Sequence, residues 1–189
     1  MTDQVKTGVS MAELMSREWV EVVDGEIVEI DIMTAGFMHK VITDNAFRLL
    51  DPYAREHQLG RVFNDGLTYA LHVDESGVQV ARLADCSFIR RENLKRDFNL
   101  TEAYPGTPDL AIEVVSPTER TDRLMGKVSD YLHYGTEQVW ALYPLLRELH
   151  VYFRDDNRPR IYKENDTLEP EALFPGLKIK IADFFVDEQ

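Results

Sequence analysis

The sequence predicts an α/β protein with a mixed β-sheet, and three observations carry that prediction. Apolar segments of strand length alternate with amphipathic segments of helical length along the 189 residues. Between residues 109 and 143, a strand, a capped helix and a second strand follow one another, which is the order of a βαβ unit. Near the N-terminus, Asp24 and Gly25 separate two short apolar segments, as in a β-hairpin with a two-residue turn.

The composition fits one folded domain with an excess of negative charge. Hydrophobic residues make up 44% of the chain and aromatic residues 10%, which is typical of a globular protein. The formal net charge of −13 argues against capture of nucleic acid by bulk charge, so DNA contact would need a local basic patch or a bound metal. We expect a flexible N-terminal tail over residues 1–9 and a single domain over residues 10–189.

Cysteine use and hydropathy indicate a cytoplasmic protein. Cys86 is the single cysteine, so the chain cannot form an internal disulfide. It lies in an apolar run, which predicts a small core residue rather than a nucleophile. The N-terminus lacks the pattern of a signal peptide, and no apolar run approaches the ~20 residues that span a membrane.

The first third of the chain predicts a short helix, a hairpin and a long helix. Ser10 begins a capping box, so a short helix is expected to follow it. Strands are predicted at residues 19 to 23 and 26 to 30, on either side of the hairpin turn. Apolar residues then recur at helical spacing from residue 37 to residue 57, and Gly60 is expected to end that helix.

The rest of the chain predicts short strands around one capped helix. Ser116 offers a side-chain cap and is followed by a proline, so the helix is expected to begin there and to stop at Gly135. A strand that contains Glu113 precedes this helix. The other strands are predicted at residues 61 to 63, 68 to 72, 78 to 81, 85 to 89, 138 to 143, 148 to 153, 160 to 162 and 175 to 181.

One carboxylate lies inside an apolar strand. The segment around Glu113 is apolar on both faces, which is typical of a strand that is covered on both sides. Burying an unpaired charge is strongly unfavourable, so Glu113 needs a cation, a hydrogen-bond donor or a metal ion as its partner. The residues alone leave that choice open.

Asp85 and Lys127 are the residues that could meet Glu113. If the strand that Asp85 opens runs antiparallel beside the strand of Glu113, the two carboxylates approach each other, and Lys127 can reach them from the inner side of its helix. Two carboxylates and an ammonium group can support phosphodiester hydrolysis, because Mg²⁺ or Mn²⁺ binds carboxylate oxygens and lowers the pKa of a bound water. The alternative is a buried ion pair between Glu113 and Lys127, with Asp85 capping a turn.

Asp109 is a further acid on the strand of Glu113. Both side chains share one face, but four residues of strand separate them by about 13 Å, so they cannot hold the same ion. We therefore expect Asp109 to be a strand-start residue that bonds amides of the neighbouring loop.

Four segments together resemble a known family. They lie at residues 20–26, 84–88, 108–117 and 127–135, and their order and spacing are similar to those of the Uma-two family, a branch of the PD-(D/E)xK restriction-endonuclease-like superfamily. The resemblance extends from about Met11 to Phe185. It implies a restriction-endonuclease-like fold, with a mixed central sheet flanked by helices and an N-terminal β-hairpin.

The resemblance also implies roles for individual residues. Asp85, Glu113 and Lys127 correspond to the catalytic set. Asp85 and Glu113 would hold Mg²⁺ or Mn²⁺ together with the backbone carbonyl of Val114. Glu21 and His39 match accessory positions that complete the metal shell or shape the site.

The sequence departs from the motif of the superfamily at two positions. The lysine of the (D/E)xK element would fall at Val115, and Lys127 on the following helix takes its place. Ala84 stands where the motif has proline, which is a minor change because the carboxylate of Asp85 does the chemistry.

Three functions remain open at this point. The first is a metal-dependent endonuclease that acts on DNA, and the second is a catalytically silent nuclease-like fold that serves in binding or assembly. A third is a phosphohydrolase that acts on small molecules with the same ligands.

Two further features concern partners. The one notable basic group is expected to be a solvated loop rather than a phosphate track; it comprises Arg90, Arg91, Lys95 and Arg96. The apolar hairpin edges, the alternating strand from Leu149 to Phe153 and the analogy with dimeric nucleases suggest a homodimer.

Overall fold

The computed structural model describes residues 8–30 and 36–186 of the chain. Residues 1–7 of the predicted N-terminal tail lie outside the described residues. Val9, which the sequence placed in that tail, is buried and pairs with Val78 through backbone hydrogen bonds of 3.0 and 2.8 Å. The prediction of a loose tail up to residue 9 is therefore wrong at its C-terminal end.

The chain alternates between strands and three α-helices over the residues that the structure describes. The elements are α1 (Met11–Met15), β1 (Val20–Val23), β2 (Glu26–Glu29), α2 (Phe37–Glu56), β3 (Gly60–Asp74), β4 (Gly77–Arg90), β5 (Tyr104–Pro105), β6 (Leu110–Val114), α3 (Thr121–Tyr134), β7 (Gln138–Tyr143), β8 (Glu148–Phe153), β9 (Asp156–Lys163), β10 (Thr167–Leu168), β11 (Ile179–Lys180) and a 3-10 helix (Ile181–Phe185). As predicted, the Oγ of Ser10 caps α1 by accepting a hydrogen bond from Glu13 N at 3.1 Å. None of these helices is long and apolar enough to cross a membrane.

The larger sheet is mixed, as the sequence predicts. Its strands follow the order β2-β1-β4-β6-β7-β8-β9, while β3 pairs with β4 and β5 pairs with β3. Strands β6 and β7 run parallel and are joined by α3, whereas β4 and β6 are antiparallel neighbours. The final predicted strand is shorter than expected, because only β11 pairs there, with β10, in a separate two-stranded sheet.

Helices cover both faces of the sheet. Helix α2 buries a stripe of residues at every fourth position against one face; these are Ile42, Ala46, Leu50 and Ala54. Helix α3 buries Leu124, Val128 and Tyr131 against the other face. Since side chains alternate along a strand, Ile112 of β6 belongs to the core under α2, and its neighbour Ala111 belongs to the core under α3. Cys86 is fully buried under α2, as expected of a core residue.

Strands β3 and β4 form one long hairpin rather than the four short strands that the sequence predicts. Asn64 pairs with Cys86 and Leu67 pairs with Ala84, so residues 65 and 66 of β3 stand opposite the single residue Asp85. This is a β-bulge, and Gly66 supports it with a φ of 84°. The polar residues of the bulge look like a turn in the sequence, which explains the wrong prediction. Gly60, which was expected to end α2, is the first residue of β3.

Helix α3 begins four residues later than predicted, because its N-cap is Arg120 and not Ser116. Its first residue is Thr121, and Ser116 instead closes a turn in which its carbonyl accepts a hydrogen bond from Glu119 N at 3.0 Å. The Ser116 Oγ accepts a hydrogen bond from Thr118 N at 3.4 Å, so this side chain stabilises a turn and does not cap a helix. Residues 115 to 120 consequently form a loop between β6 and α3. Gly135 ends α3 as predicted, with a φ of 120°.

Candidate functional site

A cavity of about 520 Å³ opens where the N-terminus of α2, the bulged part of the β3–β4 hairpin and the end of β6 meet. Four of the residues that the sequence singled out line this cavity: His39, Asp85, Glu113 and Lys127. Val114, whose carbonyl was expected to be a metal ligand, lines it as well. These residues come from two strands and two helices that are distant in sequence, and the fold brings them together.

Glu113 is held at the floor of the cavity. It is 3% exposed, and its Oε2 accepts a hydrogen bond from Lys127 Nζ at 2.7 Å. Its other oxygen, Oε1, is buried and has no hydrogen-bond partner among the described residues. Burial raises the pKa of Glu113 to about 8; Lys127 opposes this rise, and the negative charges of Asp85 and Glu21 add to it. The protonated form of Glu113 is therefore favoured for as long as no further cation compensates its charge.

Lys127 reaches the strand from α3. It lies on the buried stripe of that helix, next to Val128 and one turn after Leu124, which directs its side chain to the sheet. Its Nζ lies 2.7 Å from Glu113 and 3.6 Å from Oε1 of Glu21. Burial alone would lower the pKa of Lys127, but the surrounding carboxylates raise it above its usual value. The carboxylates around it thus favour the cationic form of Lys127.

Asp85 lies in the second half of β4 and does not open a strand, which corrects the sequence-based expectation. Because it stands opposite the bulge of β3, its carboxylate is available to other elements. Its Oδ2 accepts a hydrogen bond from the backbone amide of Val114 at 2.7 Å, and Nε2 of His39 lies 3.2 Å from the same oxygen. Burial would raise the pKa of Asp85, but His39, Lys127 and the Val114 amide together lower it. Asp85 therefore stays ionised.

His39 supports Asp85 from the first turn of α2. Burial would lower the pKa of His39, whereas the hydrogen bond and the charge of Asp85 raise it. The ring is one-fifth exposed at the side chain, so it forms part of the cavity wall. Its Nε2 contacts the carboxylate of Asp85, which makes His39 a residue that orients Asp85.

Glu21 lies behind the cavity wall and not on it. It comes from β1, is fully buried, and its Oε2 accepts a hydrogen bond from Arg82 at 2.8 Å. Arg82 also donates from Nε to Asp130 Oδ2 at 2.8 Å, so it joins β1, β4 and α3. The sequence reasoning missed Arg82 and Asp130. The one available signal was a lone arginine within the apolar strand pattern of β4, since a buried charge requires a partner.

The donor atoms fit a hard divalent cation with open positions. No group of three or more His, Cys, Asp and Glu side chains in residues 8–30 and 36–186 is arranged to hold a metal. Magnesium, however, is often held by one or two carboxylates, and waters complete its octahedron. Asp85, Glu113 with its orphaned Oε1, and the Val114 carbonyl match that pattern.

Asp109 lies outside the cavity, as expected. Its carboxylate accepts hydrogen bonds from the amide of Arg90 at 2.7 Å, from the guanidinium of Arg90 at 3.0 Å and from the side chain of Asn93 at 2.7 Å. This is the predicted role of a strand-start residue that bonds a neighbouring loop.

The predicted basic group divides into two parts. Arg90 forms ion pairs within the protein, with Asp109 at 3.0 Å and with Glu137 at 2.7 Å. Lys95 donates a hydrogen bond to the carbonyl of Pro105. Arg91 and Arg96, by contrast, line a second cavity of about 560 Å³. Two further arginines, Arg55 and Arg61, line it with them, so four arginines share one surface that we call the arginine cavity.

Comparison with solved structures supports the fold. A crystal structure of "a putative nuclease belonging to DUF820" from Anabaena variabilis is similar to this chain, with a TM-score of 0.76 at 16% sequence identity. The alignment covers 94% of this chain and 97% of the other. At this level of identity the likeness concerns the fold.

Comparison of the sequence itself identifies the family. None of the curated proteins matches the chain. The model of a family described as "Putative restriction endonuclease" matches residues 12–182, which is most of the chain and contains every residue of the cavity discussed above. The protein therefore belongs to the Uma2 family, as its sequence motifs predict.

Proposed function

We propose that this protein is a metal-dependent endonuclease that hydrolyses DNA phosphodiester bonds. Asp85 and Glu113 act as metal ligands with the carbonyl of Val114, and Lys127 is the cation beside them. The single observation that carries the proposal is the buried Oε1 of Glu113, which lacks a hydrogen-bond partner among the described residues in a cavity that it shares with Asp85.

The balance of charge supports a cation at this place. Three carboxylates, those of Glu21, Asp85 and Glu113, surround Lys127, and Arg82 is already engaged by Glu21 and Asp130. A buried carboxylate oxygen without a donor is destabilising, and burying net negative charge is worse. A divalent cation at Oε1 of Glu113 would offset both the cost of the unpaired oxygen and the cost of the buried negative charge.

Asp85 and Lys127 would have different roles in the proposed reaction. When bound, Mg²⁺ or Mn²⁺ would supply charge stabilisation at the phosphate and a more acidic water. Asp85 is ready as an oxygen ligand, because the Val114 amide and His39 keep it ionised and fix its orientation. Lys127 is held protonated by Glu113, so its ammonium group donates hydrogen bonds and stabilises negative charge on a phosphate oxygen.

A plasmid assay tests this proposal. The purified protein, supplied with supercoiled plasmid and Mg²⁺ or Mn²⁺, is expected to nick the DNA, and a chelator should abolish nicking. Glu113→Gln should lose activity, because the amide keeps the shape and removes the charge that binds the metal. Glu169→Gln, which changes an exposed carboxylate outside the cavity, should retain it. An inactive parent, or equal nicking by Glu113→Gln, would reject the assignment.

A second function is supported by the arginine cavity. Four arginines on one surface are unexpected in a chain with a net charge of −13, and they form a place where a polyanion could dock. The same fold could therefore bind DNA without turnover, as a binding or assembly module. The two functions are distinguished by whether Glu113 is needed for cleavage or the arginines alone account for binding.

A homodimer is also part of the proposal, but on a different strand from the one predicted. The segment from Leu149 to Phe153 is β8, which lies between β7 and β9 and is not an edge. Strand β9 ends the order of the larger sheet and exposes Ile161, which is 53% accessible. An exposed edge strand can pair with a second copy. Light scattering would give the mass in solution, and a monomer at all concentrations would exclude the dimer.

A further inference from the structure

Trp19 lies on the wall of the site cavity. It comes directly before β1, its residue is 42% exposed, and its carbonyl accepts a hydrogen bond from Ile30 N at 2.8 Å. Its backbone has a φ of 57°, in the left-handed region that bulky residues rarely adopt. Such strained positions persist when the surrounding structure holds them, and they concentrate at ligand sites.

The second tryptophan gives a contrast. Trp140 lies in β7, is fully buried and packs in the core under α2. A large aromatic ring that is buried stabilises the core, whereas a ring that remains accessible beside a cavity is available to a ligand. Trp19 is therefore the tryptophan that a ligand in the cavity would meet.

Two arginines and Glu119 also line this cavity. Arg120 and Arg123, from the loop before α3 and its first turn, line the same space as Trp19. Arg123 donates a hydrogen bond to the carbonyl of Glu29 at 3.4 Å, which places the start of α3 beside the hairpin that carries Trp19. The cavity thus combines an aromatic ring, two guanidinium groups and the carboxyl groups of Asp85, Glu113 and Glu119. The guanidinium of Arg120 also pairs with Asp122 at 2.9 Å.

We propose that this cavity takes an unpaired nucleotide of a DNA strand, whose base stacks on Trp19. A base has a flat face for stacking on Trp19 and its phosphate is an anion for the arginines, so one nucleotide can contact both kinds of side chain. In a duplex both faces of a base are covered by its neighbours, and a base must leave the stack to enter a concave site. This inference rests on the proposed function of the cavity, and it specifies single-stranded or locally unpaired DNA as the substrate.

Tryptophan fluorescence tests the inference directly. The parent protein is titrated with a single-stranded thymidine oligonucleotide and with a duplex of the same length, in Ca²⁺, which also takes carboxylate oxygens as ligands. The single strand is expected to quench the emission of Trp19 saturably and to bind at least about tenfold more tightly than the duplex, because stacking on an aromatic ring is available only to an unpaired base. The buried Trp140 supplies an unchanged background.

Three variants complete the design. Trp19→Leu should abolish the quenching and weaken binding of a fluorescently labelled oligonucleotide by about tenfold or more, while Trp19→Phe should retain part of the affinity. Phe37→Leu is the matched control, because Phe37 is 73% exposed but is not part of the cavity wall, and it should bind as the parent does. Circular dichroism of each variant establishes that it is folded.

The outcomes separate this inference from the nuclease proposal. Three results would each overturn the inference. The first is equal binding of duplex and single strand, and the second is unchanged affinity in folded Trp19→Leu. The third is that iodide fails to quench the fluorescence of Trp19 because a second copy of the protein covers it. If plasmid nicking persists in those cases, the nuclease proposal survives alone. If the parent never nicks but binds the single strand through Trp19, the nuclease proposal fails and the stacking site remains.

Discussion

Arg82 donates a hydrogen bond to Glu21 at 2.8 Å, and both side chains are buried, with exposures of 6% and 0%. The same guanidinium reaches Asp130 on α3, so one cation connects the N-terminal hairpin to the helix that carries Lys127. Burial would lower the pKa of Arg82, but Glu21 and Asp130 raise it. Arg82 therefore remains charged and bonds Oε2 of Glu21, while Oε1 of Glu21 lies 3.6 Å from Nζ of Lys127.

Replacing Arg82 is expected to destabilise the protein strongly. Arg82→Met removes the main partner of Glu21 and leaves a buried charge, which should lower the free energy of unfolding by about 3–5 kcal/mol. Urea denaturation followed by circular dichroism measures this. Lys178→Met is the control, because its pair with Glu169 is exposed and its loss should not change stability measurably. A stable Arg82→Met would show that Glu21 finds another partner.

Metal should stabilise the folded protein through Asp85 and Glu113. At a Mn²⁺ concentration of 100 times the dissociation constant, the free energy of unfolding should rise by about 2.7 kcal/mol. Asp85→Asn should lose this response, since an amide is a weaker ligand than a carboxylate.

Asp109→Asn is the matched control for that measurement. Asp109 is also a buried carboxylate, but it bonds Arg90 and Asn93 outside the cavity. This variant should be less stable than the parent without metal, yet gain the same stabilisation from Mn²⁺. A response that is equal in Asp85→Asn and Asp109→Asn would place the ion elsewhere.

His39 is expected to tune the affinity for metal. His39→Phe removes the group that orients Asp85, and changes of this kind weaken metal binding by about 10- to 100-fold. Isothermal calorimetry with Mn²⁺ gives the dissociation constants. His57→Phe, at the other end of the same helix, should bind metal as the parent does. Unchanged affinity in His39→Phe would limit His39 to shaping the cavity wall.

The arginine cavity makes a separate prediction about salt. If it contacts DNA phosphates, the combined change of Arg91→Gln and Arg96→Gln should reduce the slope of log affinity against log salt by about 2, because each lost phosphate contact removes roughly 0.9. Binding to duplex DNA is measured by fluorescence anisotropy at several salt concentrations. Arg154→Gln, which removes a surface contact with the carbonyl of Gly135, is the control. An unchanged slope would exclude the arginine cavity as a DNA contact.

Local patterns predicted much of the fold. The hairpin turn at Asp24 and the strand of Glu113 depend on neighbouring residues, so their sequence signals are direct. The predicted approach of Asp85 to Glu113 depended on one assumption, that their strands are antiparallel neighbours. The two strands do pair in the antiparallel direction, with Cys86 opposite Ile112.

The misplaced boundaries have a common physical cause. Polar residues and a glycine occur both at the bulge of β3, which includes Gly66, and at the true turn before Gly77. Their local sequence signals are therefore the same, and only the pairing of β3 with β4 determines which segment is a bulge and which is a turn. Ser116 has the chemistry of a helix cap but uses it in a turn.

The partners of Arg82 could not be found from sequence. They lie 61 and 48 residues away, on elements that only the assembled sheet brings together. Trp19 was placed at the start of a strand, and nothing in its neighbours indicates that it lines a cavity.

Val115 stands where the motif would place a lysine, and the ammonium group comes instead from Lys127, 14 residues after Glu113. An acid and a cation two residues apart on one strand would keep their spacing for as long as the strand exists. Here the 2.7 Å contact between Lys127 and Glu113 depends on the packing of α3 against the sheet. A loosened state that retained its helices and strands would already have lost the pair, so cleavage should disappear on heating or in dilute denaturant before circular dichroism reports any melting.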